Sequence, residues 1–268
     1  MRRIIFVSLF TFFILIAIFS GMMIYRHFQE ATEQANFYEN LAQVVKNAEA
    51  NTVSADNQLR VNDYVSIYNR GGTKRVLFFG NSITRHEPAP HIGWHGDWGM
   101  AASCMENDFV HLMVKELDKV YGTIDYCIAQ GSKWERGYTR TAEVLDEIYS
   151  KARDFKADIV IVRIGENITP EEHLKVDCKS AVDEAIRYLV SNENAKVIVT
   201  DMFWYAIYNH VFSEICEERG YTFCHITDLE EDERTMAKGL FEHTGVAAHP
   251  GDFGMQCIAD RILAKIFE

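Results

Sequence analysis

The sequence predicts one α/β domain in which helices cover both faces of a parallel sheet, preceded by a helix that spans a membrane. Three observations lead to this prediction. Short apolar runs recur through the second two-thirds of the chain, amphipathic stretches of helical length separate them, and the N-terminus carries one long uncharged stretch. Strands that are apolar throughout are typical of parallel sheets, because both faces of such sheets are buried.

The composition places the chain among ordinary globular proteins. It has 268 residues, of which 48% are hydrophobic and 25% charged, and it contains only 4 prolines. Disordered, collagen-like and proline-rich proteins are therefore excluded. The formal net charge is -12. A protein this acidic repels a phosphate backbone, so we expect no nucleic-acid partner.

The first predicted element is the uncharged stretch over residues 4–25, which is dominated by Ile, Phe, Leu and Met. As a helix it would be about 33 Å long, enough to cross a hydrocarbon core of roughly 30 Å. A cleaved signal peptide is the alternative, but its apolar region is normally shorter, about 7–15 residues. Arg2 and Arg3 precede the stretch and Arg26 follows it, so the positive-inside tendency places the N-terminus in the cytoplasm. We expect residues 1–27 to form a single-pass anchor in the cell membrane, with the C-terminal domain outside the cytoplasm.

Residues 28–73 form the next predicted segment. Apolar side chains recur at intervals of three and four over residues 28–50, which indicates an amphipathic helix, either a stalk or a helix that packs on the domain. A short strand is predicted within residues 59–68. The turn signal over residues 69–72 predicts that this strand feeds a hairpin.

Residues 74–268 alternate between strand and helix and form the third predicted segment. We predict five parallel strands, over residues 75–79, 124–129, 158–164, 196–200 and 222–226. We predict helices over residues 108–121, 141–155, 171–190, 205–219 and 253–267. Ligands of such sheets bind outside the carboxyl ends of the strands, so the loops at that edge are where chemistry is expected.

Neither a metal nor a cofactor is predicted. The 6 cysteines are scattered and form no C-x-x-C pair, so they indicate neither a zinc site nor a redox motif. They are expected to be buried small hydrophobes. The histidines of the loop over residues 85–100 meet no standard metal-ligand spacing.

Four loops at strand ends contain residues suited to acyl transfer. Ser82 follows the first strand and Gly80, and it could be a nucleophile or the N-cap of a helix. Gly131 follows the second strand, where a glycine lets the backbone approach a ligand closely. Asn167 follows the third strand and could donate to an oxyanion or cap a turn. His249 precedes the last helix and could be a general base or a structural histidine.

These residues resemble the motif blocks of the SGNH (GDSL-like) hydrolases, and the resemblance covers roughly residues 74–268. Gly-Asn-Ser-Ile-Thr over residues 80–84 is similar to the first block, with Asn81 in place of the usual Asp. Gly-Glu-Asn over residues 165–167 is similar to the third block, and His-Pro over residues 249–250 to the fifth. Gly131 is the match to the glycine of the second block.

The resemblance implies a flavodoxin-like three-layer α/β/α sandwich with a five-stranded parallel sheet, no metal and a serine nucleophile. In the implied mechanism Ser82 attacks an acyl carbonyl while His249 takes its proton. The oxyanion would be held by the backbone N–H groups of Ser82 and Gly131 and by the Asn167 amide.

The sequence departs from the family at Val246, where an Asp usually orients the histidine three residues later. Valine cannot accept a hydrogen bond. Three explanations remain open: a backbone carbonyl orients the imidazole, another acid such as Glu242 or Asp201 replaces the aspartate, or the site is catalytically degraded.

The loop over residues 85–100 predicts a wall of the substrate site. Trp94 and Trp98 could stack on sugars or other flat apolar groups, with Asp97 as a hydrogen-bonding neighbour. The alternative is a surface loop that packs on itself. These residues favour an acylated carbohydrate, or another small ester, as the substrate.

Three functions are therefore considered. The first is a membrane-anchored esterase that deacylates, and in particular deacetylates, a carbohydrate or cell-envelope glycan. The second is an O-acyltransferase, which differs in excluding water after acylation. The third is a catalytically degraded glycan-binding module, which Val246 motivates. One fold serves many acyl groups, so the resemblance does not fix the substrate.

Overall fold

The computed structural model describes residues 64–136, 142–169 and 177–268. Their strands form one sheet in the order β1-β3-β2-β4-β5-β6. The strands are β1 Val65–Tyr68, β2 Lys74–Gly80, β3 Ile124–Gln130, β4 Ile159–Arg163, β5 Lys196–Thr200 and β6 Thr222–Cys224. The α-helices are α1 Phe109–Tyr121, α2 Ser132–Glu135, α3 Ala142–Asp154, α4 Cys178–Leu189, α5 His210–Arg219, α6 Thr244–Ala247 and α7 Asp252–Phe267. Single 3-10 turns occupy Pro90–Ile92, Met105–Asn107, Thr227–Glu231 and Glu233–Thr235.

Strands β2 to β6 are parallel, as predicted. The central strand β2 has β3 on one edge and β4 on the other, so that Gly80 lies opposite both Gln130 and Arg163. The chain passes from β2 to β3 on one side and then returns to β4 on the other. Ligands of open α/β sheets bind where the strand order reverses in this way, which is beyond the carboxyl ends of β2 and β4.

Strand β1 corrects one prediction. A strand is present at the predicted place, but the predicted hairpin is wrong: β1 pairs antiparallel with β3, with Val65 opposite Ala129. Both edges of β2 are already occupied, so β1 adds at the outer edge of β3 and makes the sheet mixed. The Asp125 carboxylate holds the connection between β1 and β2 across β3, because its Oδ1 accepts from the N–H groups of Arg70 and Gly72 at 2.6 and 2.9 Å.

Both faces of the sheet are covered, which gives three layers over the described residues. On β2, Leu77 and Phe79 enter a core cluster formed with α3, α4 and α5. Val76 and Phe78 enter a second cluster on the opposite face, formed with α1 and α7. Four cysteines lie in these clusters as small buried side chains: Cys127, Cys178, Cys216 and Cys224.

Several predicted segments lie outside the described residues. They are the anchor over residues 1–27, the helix over residues 28–50 and the first part of the helix predicted over residues 171–190, whose described part is α4. Within the described ranges, no helix is both long enough and apolar enough to cross a membrane.

Candidate active site

Ser82 lies in a tight turn directly after β2. The N–H groups of Thr84 and Arg85 both donate to the Asn81 carbonyl, at 2.9 and 3.0 Å, and these bonds close the turn. Gly80 is required beneath it, because a Cβ there would lie 1.9 Å from Thr84 Oγ1. Asn81 is buried whereas Ser82 is partly exposed. The turn therefore presents the serine side chain at the carboxyl edge of the sheet.

His249 contacts Ser82 directly. Its Nε2 lies 2.8 Å from Ser82 Oγ, and its Nδ1 lies 2.6 Å from the backbone carbonyl oxygen of Gly245. A carbonyl oxygen can only accept a hydrogen bond, so Nδ1 carries the proton and Nε2 is the acceptor. The imidazole is therefore held in the tautomer that can take a proton from the Ser82 hydroxyl.

The short helix α6 makes the Gly245 carbonyl available. The last carbonyls of a helix have no partner within it and need another donor. The backbone N–H of His249 donates to the Val246 carbonyl at 3.0 Å, which leaves the Gly245 carbonyl to the imidazole. Of the three explanations for Val246, the structure has the first: a backbone carbonyl orients His249.

Asp201 and Glu242, the two acids considered as orienting groups for His249, are not bonded to its imidazole. The Asp201 carboxylate is buried and accepts from the His225 ring at 2.5 Å and from the backbone N–H of Ile226 at 2.6 Å. Glu242 is exposed. Neither side chain is bonded to His249, so the prediction that one of them replaces the usual aspartate is corrected. A strand-end acid fits local capping equally well, and sequence alone does not separate the two roles.

The environment of His249 keeps the imidazole neutral. Burial lowers the pKa of His249 to about 3, and the hydrogen bond to the Gly245 carbonyl only partly opposes this effect. The Trp204 ring contributes to the burial, since it packs edge-on with its centroid 5.0 Å from that of His249. A neutral imidazole is the form that acts as a general base.

Two of the three predicted oxyanion donors are available. Among the described residues, the Ser82 N–H has no protein acceptor. The Asn167 amide donates one N–H to Glu135 Oε2 at 2.5 Å, and its second N–H remains for a ligand. The Gly131 N–H instead donates to the Gly80 carbonyl at 2.6 Å, which continues the ladder between β3 and β2. This geometry does not support Gly131 as a third donor, because its N–H is already bonded.

A buried polar network beneath Ser82 is the part of the site that sequence reasoning missed. The Asn81 amide donates to Glu135 Oε1 at 2.9 Å and to Glu166 Oε2 at 2.6 Å, and its oxygen accepts from Arg163. Arg163 also donates to Glu166 Oε1 at 2.5 Å. The sequence carried one signal for this network: Arg163 ends an otherwise apolar strand, and a buried arginine requires a partner.

The two carboxyl groups of the network differ in their acidity. Burial raises the pKa of Glu135, and the nearby Glu166 raises it further. Burial also pushes the pKa of Glu166 upward, but the Arg163 guanidinium and the Phe203 N–H hold it below its usual value. Arg163 therefore favours the charged form of Glu166, whereas Glu166 disfavours the charged form of Glu135.

The loop over residues 85–100 differs from the predicted substrate wall. Trp94 is 2% exposed, donates its ring N–H to the His86 carbonyl at 3.1 Å and packs against the Trp98 ring. It therefore cannot offer a face to a sugar, and the alternative of a loop that packs on itself describes Trp94. Trp98 is partly exposed, and its ring N–H donates to Ala102. Asp97 forms a bidentate ion pair with Arg85, with N–O distances of 2.8 and 2.9 Å.

The loop after β5 brings one apolar side chain to the site. The buried Trp204 contacts His249, and Tyr205 and Ile207, which follow it in the chain, are 49% and 59% exposed. Trp134, which follows β3, is a core residue that packs against Phe79. Within the described ranges, no group of three or more His, Cys, Asp or Glu side chains is arranged to hold a metal ion.

Comparisons with known proteins give distant similarities only. No protein-family description and no curated protein matches the chain. Among solved structures, an acetyl xylan esterase is 18% identical with a TM-score of 0.42, over 71% of this chain and 98% of that one. A salicylyl-acyltransferase from a tetracycline biosynthetic pathway is 10% identical with a TM-score of 0.48, over 74% and 56%. The acetyl xylan esterase Est2A from the rumen bacterium Butyrivibrio proteoclasticus is 15% identical with a TM-score of 0.43, over 72% and 63%. The function must therefore be argued from the site itself.

Proposed function

We propose that the protein is a serine esterase of the SGNH type that removes a short acyl group from a carbohydrate or a cell-envelope glycan. One observation carries the proposal. Ser82 Oγ lies 2.8 Å from His249 Nε2, while the opposite nitrogen of the same imidazole lies 2.6 Å from the Gly245 carbonyl. A hydroxyl, a base and an orienting group in line are the arrangement that activates a serine nucleophile.

The proposed reaction begins when Ser82 Oγ attacks the acyl carbonyl carbon and His249 Nε2 takes the hydroxyl proton. The negative charge that develops on the carbonyl oxygen is met by the Ser82 N–H and the free N–H of the Asn167 amide. His249 then gives its proton to the leaving alcohol oxygen, and the acyl group stays on Ser82. Water, activated by the same imidazole, releases the acid and restores the enzyme.

The carbohydrate part of the proposal rests on the aromatic surface beside His249. Aromatic rings bind the apolar faces of sugars, and neighbouring polar groups bind the hydroxyls. The exposed Tyr205, which is next to Trp204 in the chain, supplies such a surface in place of Trp94, whereas Trp204 is buried and packs against His249. The Trp204 ring occupies one side of His249, and from this we infer a short acyl group such as acetyl.

The proposed location is the outer face of the cell membrane, to which residues 1–27 would anchor the domain as a single pass. The support for this part is the uncharged stretch over residues 4–25 with the arginines that flank it.

A colorimetric acetyl ester and an acetylated oligosaccharide test the proposal with the full chain. We expect both esters to be cleaved, and we expect Ser82→Ala to abolish cleavage while the melting temperature stays the same. Acetate release from the sugar in water would identify a hydrolase. Transfer to an added sugar hydroxyl, with little free acetate, would identify the O-acyltransferase. Equal turnover by the Ser82→Ala variant would overturn the proposal.

A further inference from the structure

Glu135 is a buried carboxyl group that joins the loop after β2 to the loop after β4 at the carboxyl edge of the sheet. Its Oε1 accepts from the Gly165 N–H at 2.5 Å and from the Asn81 amide at 2.9 Å. Its Oε2 accepts from the Asn167 amide at 2.5 Å. Glu135 itself is fully buried at the end of α2 and is bonded to neither Ser82 nor His249. It therefore does not take part in the proton transfer.

Each of the three groups held by Glu135 adjoins the proposed reaction. Asn81 directly precedes Ser82, and Asn167 is the side-chain donor to the oxyanion. Gly165 begins the loop that carries Asn167, and its φ of +127° requires glycine. An asparagine amide can rotate so that its oxygen and nitrogen exchange places. An acceptor at Glu135 Oε2 selects the orientation in which nitrogen faces Glu135, and this also fixes the direction of the second N–H.

We propose that Glu135 is the positioning residue of the oxyanion hole, which holds the Asn167 amide with its free N–H directed at the acyl carbonyl oxygen. This inference rests on the function proposed above. It assigns to Glu135 a contribution to turnover that passes entirely through Asn167.

The charge balance of the network agrees with this role. Arg163 is paired with Glu166, and both side chains are at most 4% exposed. Each of the three partners of Glu135 is a donor, so both of its carboxyl oxygens act as acceptors here, and Oε2 is the acceptor that faces Asn167. A buried polar group is costly unless its hydrogen bonds are satisfied, and Glu135 has three donors.

The Glu135→Gln variant tests the proposal, because glutamine keeps the volume and one oxygen acceptor. Gly165 and Asn81 require that oxygen, so the new NH₂ group faces the Asn167 amide. The new NH₂ group and the NH₂ group of Asn167 are both donors and cannot pair. We therefore expect the Asn167 amide to rotate, so that its free N–H no longer faces the acyl carbonyl oxygen. The expected result is a loss in kcat of roughly 10- to 100-fold with KM changed less than about twofold.

The combination with Asn167→Ala separates positioning from general support of the fold. We expect Asn167→Ala alone to lower kcat by about 10²- to 10³-fold. Adding Glu135→Gln to that variant should change kcat by less than about twofold, because the group on which Glu135 acts is already absent. Losses that multiply in the double variant would overturn the proposal.

Asp201→Asn is the matched control. Asp201 is also a buried carboxyl at a strand end, but it caps the N–H groups of Ile226 and Thr227. Asparagine keeps one oxygen for them, so kcat should stay within about twofold. A loss equal to that of Glu135→Gln would assign the effect to any buried carboxyl and overturn the proposal.

The fold and the proposed function are checked in the same series. If Glu135→Gln does not fold, Glu135→Asp replaces it, since aspartate keeps both oxygens but withdraws them from Asn167. Failure of both variants to fold would overturn the proposal in favour of a purely structural role. Absence of ester cleavage by the unmodified chain would instead reject the proposed function, on which the inference depends. Full kcat in a folded Glu135→Gln variant would reject the positioning role of Glu135 and leave the proposed function unaffected.

Discussion

At the scale of single residues, the distinguishing feature of the site is the group that holds His249. The Gly245 carbonyl selects the tautomer, as an aspartate would, but it carries no full charge to stabilise the imidazolium. The pKa of His249 accordingly falls to about 3 on burial. This low pKa has a direct consequence for the dependence of turnover on pH.

The acid limb of the kcat/KM profile should lie far below the ordinary histidine pKa of about 6.5. A base acts when unprotonated, so it works above its pKa and is lost as the pH falls through that value. With a pKa of about 3 for His249, we expect kcat/KM to change little between pH 8 and pH 5. Initial rates over that range, with circular dichroism at each pH to confirm the fold, measure this. A fall in kcat/KM with its midpoint near pH 6.5 would contradict the low pKa of His249.

Residue-scale reasoning from the sequence identified Ser82, Asn167 and His249 as candidates, because strand ends mark the edge where ligands bind. It could not identify the Gly245 carbonyl, since the direction of a backbone carbonyl depends on where α6 ends. It also assigned Trp94 to the substrate wall, which is wrong. An aromatic residue in a polar loop has the same sequence signature whether it faces solvent or packs inward. The burial of Trp94 follows from its contacts with Trp98 and Phe241, which the sequence does not encode locally.

At the scale of elements, α6 and the loop over residues 85–100 form one unit. Val246 of α6 is fully buried in an apolar cluster with Ala89, Trp94 and Ala237. The position at which the SGNH hydrolases usually carry an aspartate is thus part of a small core in this protein. The apolar surroundings of this position suit valine and leave a carboxylate without a partner.

Val246→Asp should therefore destabilise the protein rather than improve the base. An unpaired carboxylate in this cluster is expected to cost about 3 kcal/mol or more of unfolding free energy. Urea unfolding of the full chain measures the loss. Val246→Ala is the control, since it removes the apolar side chain from the same cluster without adding a charge, and it should cost less. A stable Val246→Asp variant with raised kcat would show that a carboxylate there reaches His249.

Element prediction from the sequence succeeded where the local pattern was decisive. The apolar runs of β2 to β6 identified five parallel strands, because continuous burial on both faces leaves a clear pattern. The partner of β1 could not be identified, since adjacent segments joined by a turn favour a hairpin. The choice depends on which strand edge is free, and that is a property of the whole sheet.

At the scale of the whole molecule, the reversal of strand order beside β2 brings the residues of distant segments together. Ser82 and His249 are separated by 167 positions and are hydrogen-bonded. Asn81 and Asn167 follow neighbouring strands and are bridged by the carboxyl group of Glu135 from helix α2. The topology thus assembles the site from segments that show little sign of association in the sequence.

Removal of residues 1–27 tests the proposed anchor. The full chain should sediment with membranes, because an apolar helix of this length is stable in the hydrocarbon core. The shortened chain should remain in the supernatant and keep its esterase activity. Ultracentrifugation of cell extracts, followed by immunoblotting of both fractions, measures the distribution. Membrane association of the shortened chain at high salt would contradict a single anchor.

Fluorophosphonate labelling of the full chain at neutral pH, read by peptide mass spectrometry, measures whether His249 activates Ser82. The reagent reports an activated serine without requiring the natural acyl group. We expect a single adduct on Ser82 that is absent in His249→Ala. The adduct should be retained in His225→Ala, because His225 pairs with Asp201 and not with Ser82. No adduct on the folded protein, or an adduct that persists without His249, would contradict the activation of Ser82 by His249.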